Sequence, residues 1–198
     1  PGQLLYIDAL FTSFSAVCVT GLSVFDIKTT FSLFGQIVLL CLIQIGGLGI
    51  MFFSILLSMV LKRKVSQVDS KEFQESYQTF NLKDTFNAVK FIFKTTFFIE
   101  IVGAILLFWK WHEDFSSTSE AIFYSIFHSV SAFCNAGFSL FSNSLVHYQS
   151  NIEVILTISC LIIIGGLGFP VLFNLYHRYI DKNSIIHLKL QTKKYKKL

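Results

Sequence analysis

Ser15-Ala-Val-Cys-Val-Thr-Gly-Leu-Ser23 returns 116 residues later as Ser131-Ala-Phe-Cys-Asn-Ala-Gly-Phe-Ser139, and this duplication decides the fold. An apolar stretch follows each copy and carries the same four residues, Gly46-Gly-Leu-Gly49 and Gly165-Gly-Leu-Gly168, now 119 apart. Each copy therefore reads as a short helix, a Gly-bearing loop and a long apolar helix. Such a unit, repeated, is the plan of a pore assembled from repeats around an axis, and it predicts an ion pathway through a membrane.

Composition agrees with that solvent. The 198 residues are 53% hydrophobic and 14% charged, with 23 phenylalanines. A soluble domain carries roughly 25% charged residues, so this chain has too little polar surface to cover itself in water. The first apolar stretch lacks a basic flank and a small-residue cleavage site, so it does not read as a secretory signal. Because the chain starts at Pro1, already in a loop-and-short-helix unit, the expectation is a fragment of a longer protein. The four cysteines (Cys18, Cys41, Cys134, Cys160) form no CxxC pair and read as small packing residues.

A hydrocarbon core of ~30 Å needs about 20 apolar residues of helix. Three stretches meet that length, from about Phe31 to Leu61, Phe86 to Trp111 and Ile152 to Tyr176. Two pieces, about Leu4–Cys18 and Ala121–Phe133, are too short to span and precede the Gly loops. They suit re-entrant helices that enter and leave on one side, where non-helical backbone must be buried in protein or face water. The predicted fold is thus an all-α membrane protein with about three transmembrane helices and two re-entrant pore helices.

Charge sets the orientation. Of the 16 basic residues, all but Lys28 and Lys110 lie between the first two spans, at the start of the second (Lys90, Lys94) or after the third. The positive-inside rule puts residues 62–90 and the C-terminal tail in the cytoplasm, so both Gly loops open outward. Trp109 and Trp111 fit the outer interfacial belt of the second span. The basic tail follows from topology and from attraction to anionic lipids, which leaves nucleic acid excluded as a partner.

A potassium ion crosses a membrane only if its hydration shell is replaced, which rings of backbone carbonyls can do. Turning successive carbonyls toward one axis requires dihedrals that Gly tolerates. Gly21 and Gly137 hold equivalent places, each directly after a short helix whose C-terminal dipole end favours a cation. The carbonyls of Val19, Thr20 and Gly21, and of Asn135, Ala136 and Gly137, are therefore the expected ion ligands, with no other metal. A single Gly after an apolar helix is most often a simple helix stop, and only the duplicated context raises it above that.

The glycines of the second motif, Gly46, Gly47, Gly49, Gly165, Gly166 and Gly168, each cost ~1 kcal/mol against Ala inside a helix. They read equally as a flexible point or close contact behind the loops and as plain tight packing. Pro170 favours a kink in the third span. Glu100, inside the second span, is a functional candidate by its depth. The plainer and favoured reading is a carboxylate hydrogen-bonded to a neighbouring helix. The five histidines lack metal-ligand spacing, and His128 on the second short helix reads as a packing or polar-contact residue. No Ser/Lys dyad or histidine pair with a carboxylate converges, so an enzyme is not expected.

Four segments, Ser15–Asp26, Phe34–Met51, His128–Phe141 and Gly165–Phe169, resemble the Trk/Ktr/HKT superfamily of potassium transporters, most of all the Ktr-type membrane subunit. The resemblance implies four membrane–pore–membrane repeats around one pathway, with one filter Gly each, matched here by Gly21 and Gly137. On that pattern residues 1–64 hold the pore helix, filter loop and second membrane helix of repeat one, without its first helix. Residues 65–85 are a cytoplasmic loop, 86–177 all of repeat two, and 178–198 a basic cytoplasmic tail. Repeats three and four are absent, so this chain alone should not transport. The implied function is potassium uptake across the inner (plasma) membrane, commonly sodium-dependent in Ktr-type systems. Implied partners are a second copy of the complete subunit and a cytosolic ring that binds the regulatory nucleotide. The alternative is a membrane scaffold or assembly subunit whose glycines serve helix packing.

Overall fold

In the computed structural model, residues 6–49 and 82–167 are described, and they are helical with no strand among them. In chain order these are α1 (Tyr6–Val17), α2 (Ile27–Thr30), α3 (Leu33–Gly47), α4 (Leu82–Trp111), α5 (Thr118–Phe133), a single 3₁₀ turn (Val146–Tyr148) and α6 (Ile152–Gly166). The chain divides into two units, residues 1–64 with 95–166, and residues 65–94 with 167–198. Of the second, the described residues are 82–94, the first turns of α4, together with Leu167. Apart from those first turns of α4, the features below belong to the first unit.

Local chemistry sets the helix starts. Asp26 caps α2 by accepting from the amides of Lys28 and Thr29, and the Ser32 hydroxyl caps α3 by accepting from Gly35. Asn151 does the same for α6 through the amide of Val154. Each satisfies amides that the first turn leaves without a helical partner. The far ends match as well: α3 and α6 stop at Gly47 and Gly166, the second glycine of each Gly-Gly-Leu-Gly motif. Gly49 follows at φ 79°, the left-handed conformation common after a helix end. The expected continuation to Leu61 and to Tyr176, with Gly168 and Pro170, lies outside the described residues.

Packing repeats the sequence duplication. α1 lies on α3, α5 lies on α6, and α3 against α5 joins the two copies. α5 is the central element, buried along Ala121, Tyr124, Ser125 and all of Phe127–Phe133. At Gly103, a Cβ would come 2.5 Å from Ser129 Oγ and 2.8 Å from Leu161, so α4, α5 and α6 meet there only because the residue is Gly.

Among the described residues one stretch, Val89–Trp111, is long and apolar enough to cross a membrane. Its helix begins at Leu82 rather than about Phe86. The outward faces are apolar too: Phe98, Ile101 and Trp109 on α4 and Tyr6 and Phe14 on α1 are exposed. Two sequence expectations change. Trp109 is exposed but Trp111 is fully buried, because α5 and the segment after it wrap its ring with His128, Phe141 and Tyr148. Of the cysteines only Cys134 is buried; Cys18, Cys41 and Cys160 lie on exposed apolar faces of the chain.

Candidate functional site

Both short helices end in the same way. The amides of Cys18 and Cys134 close the last helical bonds, to Phe14 and Val130. Val19 N–H then bonds Ala16 O at 3.2 Å and Thr20 N–H bonds Ser15 O at 2.9 Å. Asn135 to Ala132 (3.0 Å) and Ala136 to Ser131 (2.8 Å) repeat this 116 positions on. This is the Schellman termination, and its left-handed residue is Val19 (φ 56°) in one copy and Asn135 (φ 59°) in the other. The glycines are therefore not the helix stops. Gly21 (φ 76°) and Gly137 (φ 73°) form a second left-handed position two residues further along each loop.

Tertiary structure brings these loops together. A Cβ on Gly21 would sit 2.5 Å from the Ala136 carbonyl oxygen and 3.3 Å from Gly137 Cα. A Cβ on Gly137 would be 3.7 Å from Gly21 Cα. Residues 116 apart thus meet backbone to backbone, at a distance only glycine permits on the Gly21 side. In an ordinary extended strand successive carbonyls face opposite ways. A positive φ at every second residue is a backbone pattern that can turn them to one side.

A serine that the sequence reading passed over braces each loop from behind. Ser15 Oγ accepts from Leu22 N–H at 2.8 Å and from the Thr20 hydroxyl at 3.0 Å. Ser131, its equivalent, donates instead to the Phe138 carbonyl at 2.7 Å. Leu22 and Phe138 are themselves equivalent, so the same brace recurs within each copy with reversed polarity. The available signal was that each duplicated motif opens on a serine.

Gly46 and Gly165 back the loops from the other side. A Cβ on Gly46 would run into the Val17 carbonyl, and one on Gly165 into the Phe133 carbonyl, the last helical residues of α1 and α5. Gly47 packs on Cys134, whereas Gly166 clears the Asn135 amide by 3.9 Å and Gly49 has no neighbour within 4 Å among the described residues. In both copies the first glycine makes a close backbone contact and the helix ends at the second. Gly168 lies outside the described residues.

Glu100 is buried on α4, and its carboxyl accepts from Gln44 Nε2 of α3 at 2.9 Å, while its backbone carbonyl accepts from Ser129 of α5 at 2.7 Å. This is the hydrogen-bonded arrangement favoured from sequence. At an exposed surface Lys28 and Glu120 pair at 3.4 Å, and Lys28 lies 5.1 Å above the Tyr124 ring. Tyr148 donates to Asp114 at 3.1 Å, and burial, with that bond, pushes its phenol up to about 12.

Duplicated short helices, paired glycine loops and apolar outer faces define a repeat-built, all-helical membrane protein. The particular family follows from comparison. The TrkH family, described as a cation transport protein, matches residues 2–196, and the chain belongs to it. It is 41% identical over 187 residues to Ktr system potassium uptake protein B of Bacillus subtilis (strain 168), covering 94% of this chain and 42% of that one. It is 38% identical over 187 residues to Potassium/sodium uptake protein NtpJ of Enterococcus hirae, covering 93% and 41%. Ktr system potassium uptake protein D of Bacillus subtilis (strain 168) is 31% identical over 188 residues, covering 95% and 42%. The chain therefore spans about two fifths of the length of these relatives. Membership in this family places the chain among cation transport proteins and not among enzymes.

Proposed function

We propose that the chain supplies two adjacent segments of a potassium pathway, in which the carbonyls of Val19, Thr20 and Gly21 and of Asn135, Ala136 and Gly137 replace the hydration shell of the ion. One observation carries this: Gly21 and Gly137, both at positive φ, meet backbone to backbone beyond the C-terminal ends of two equivalent helices. A desolvated cation gains from carbonyl oxygens and from the negative ends of α1 and α5, and a backbone filter needs no ionised side chain. Two loops cannot enclose an ion, so two further equivalents complete the ring in the whole protein. Potassium is the proposed substrate, since the relatives carry potassium uptake in their names, and one of them potassium with sodium. Sodium dependence, a paired complete subunit and a cytosolic nucleotide-binding ring belong to the same proposal by resemblance. So do the outward opening of the loops and the cytoplasmic placement of residues 62–90 and of the tail.

The test is rubidium uptake in cells lacking their own potassium uptake, with the complete transporter and its Gly137→Ser variant side by side. Uptake competed by K⁺ is expected for the native protein. A Cβ and hydroxyl at φ 73° would disturb the loop, so the variant should prefer K⁺ over Na⁺ by roughly tenfold less, equivalent to about 1.4 kcal/mol. An unchanged preference would count against the carbonyl assignment.

A further inference from the structure

His128 lies on α5, three residues before Ser131, and is 3% exposed. Its ring packs among aromatic rings: the centroid of Phe141 is 4.9 Å away and that of Trp111 5.1 Å. Both nitrogens are engaged. Nδ1 is 2.8 Å from the Tyr124 carbonyl, while Nε2 is 3.0 Å from Ser139 Oγ and 3.4 Å from the backbone nitrogen of Leu140. A carbonyl can only accept and a backbone amide can only donate, so the partners fix the tautomer. Nδ1 carries the hydrogen and Nε2 is the acceptor. The ring is neutral in this arrangement, since a proton on Nε2 would face the Leu140 N–H.

Ser139 and Leu140 directly follow Gly137 and Phe138, so His128 ties the outgoing strand of the second loop to the helix that enters it. Ser131 holds Phe138 one turn deeper. Three consecutive residues after Gly137 are thereby fixed to α5. The first copy is built otherwise. Thr12 stands where His128 does, and its hydroxyl bonds the Asp8 carbonyl of its own helix at 2.8 Å. Val24, the counterpart of buried Leu140, is 54% exposed. The restraint belongs to one repeat only.

We propose that His128 is a positioning residue for the second loop: as a neutral acceptor at Nε2 it sets the outer end of Gly137, and through it the cation preference of the pathway. It acts through Ser139 and Leu140 and touches no ion itself. The proposal rests on the reading of Asn135–Gly137 as a cation-binding loop.

The experiment compares His128→Phe, His128→Gln and Gly137→Ser in the complete transporter, reading rubidium uptake against sodium competition and the amount of protein in the membrane. Phe keeps an aromatic ring but no acceptor, and should reduce the preference for K⁺ over Na⁺ by about tenfold, equal to about 1.4 kcal/mol, at unchanged protein amount. Gln reaches the Nε2 position with an acceptor and should recover most of that loss. A native preference in His128→Phe overturns the proposal, and so does equal impairment in both His128 variants. If His128→Phe fails to accumulate, ¹⁵N spectra of the native imidazole decide: protonated Nδ1 with accepting Nε2 supports the role, and the opposite tautomer overturns it. Gly137→Ser separates the two levels. An altered preference there beside a native one in His128→Phe removes only the role of His128, whereas a native preference in Gly137→Ser removes the loop reading itself.

Discussion

Val19 and Asn135 occupy the same left-handed position with very different side chains. Asn tolerates this region because its short polar side chain bonds locally, and Asn135 Nδ2 does bond the Phe133 carbonyl at 3.3 Å. Val is β-branched and gains nothing comparable, and the left-handed conformation costs a residue of this type roughly 1–2 kcal/mol. The fold tolerates that cost where three backbone hydrogen bonds and a buried serine hold the turn. Those serines should therefore matter to stability out of proportion to their size. Ser131→Ala removes the donor to the buried Phe138 carbonyl. It is expected to lower the stability of the complete protein by about 1–3 kcal/mol, the cost of a buried group left without its partner. Thermal unfolding in detergent checks it, and an unshifted midpoint would exclude the brace.

Helix pairs decide how close the loops can come. α1 on α3 and α5 on α6 are both in contact at glycine, with the helix-ending carbonyls of Val17 and Phe133 seated where a Cβ would be. Small residues permit this approach, which in lipid substitutes for the missing hydrophobic drive between helices. Neighbouring glycines of one motif should then differ sharply. Gly165→Ala forces α6 off the Phe133 carbonyl and is expected to cost about 1–3 kcal/mol by overpacking, with lost uptake. Gly166→Ala, with 3.9 Å to spare, should behave as native. Equal effects of the two would mean that the motif serves helix bending and not contact. Gly103 follows the first pattern, being wedged between Ser129 and Leu161.

At the scale of the whole molecule, the two copies are stitched at three places. Lys28 meets Glu120 at an exposed surface, Gly21 meets Gly137 at the loops, and Gln44 of α3 meets the buried Glu100 of α4. The exposed ion pair contributes little, with such pairs worth about 0–1 kcal/mol. The Gln44–Glu100 bond is different, because a carboxyl in an apolar surround is costly without a partner. The proposed orientation rests on the distribution of charge. In a cysteine-free background, Ser116→Cys, between α4 and α5, should react with a membrane-impermeant maleimide added outside intact cells. Ser66→Cys should react only after permeabilisation. The reverse pattern would invert the topology and turn both loops toward the cytoplasm.

Sequence determined the architecture because its signals are local or periodic. Apolar length marks the span in α4, polar caps such as Ser32 and Asp26 mark the helix starts, and a word repeated at fixed offset marks equivalent loops. The same duplication singles out Gly21 and Gly137 as equivalent positions, and for Glu100 the sequence leaves a hydrogen-bonded carboxylate as the favoured of two readings, without naming Gln44. Only the tertiary structure decided which atoms meet. That Val19 and Asn135, not the glycines, end the helices depends on which amide reaches which carbonyl. That Trp111 is buried while Trp109 is exposed depends on α5 and the segment after it folding back over one face of α4. The brace by Ser15 and Ser131, the seat of Phe133 against Gly165 and the clamp by His128 join residues whose types are unremarkable in a row of letters. A side chain's partners are set by distance in space, and a chain of 198 residues records that distance only after its helices have packed.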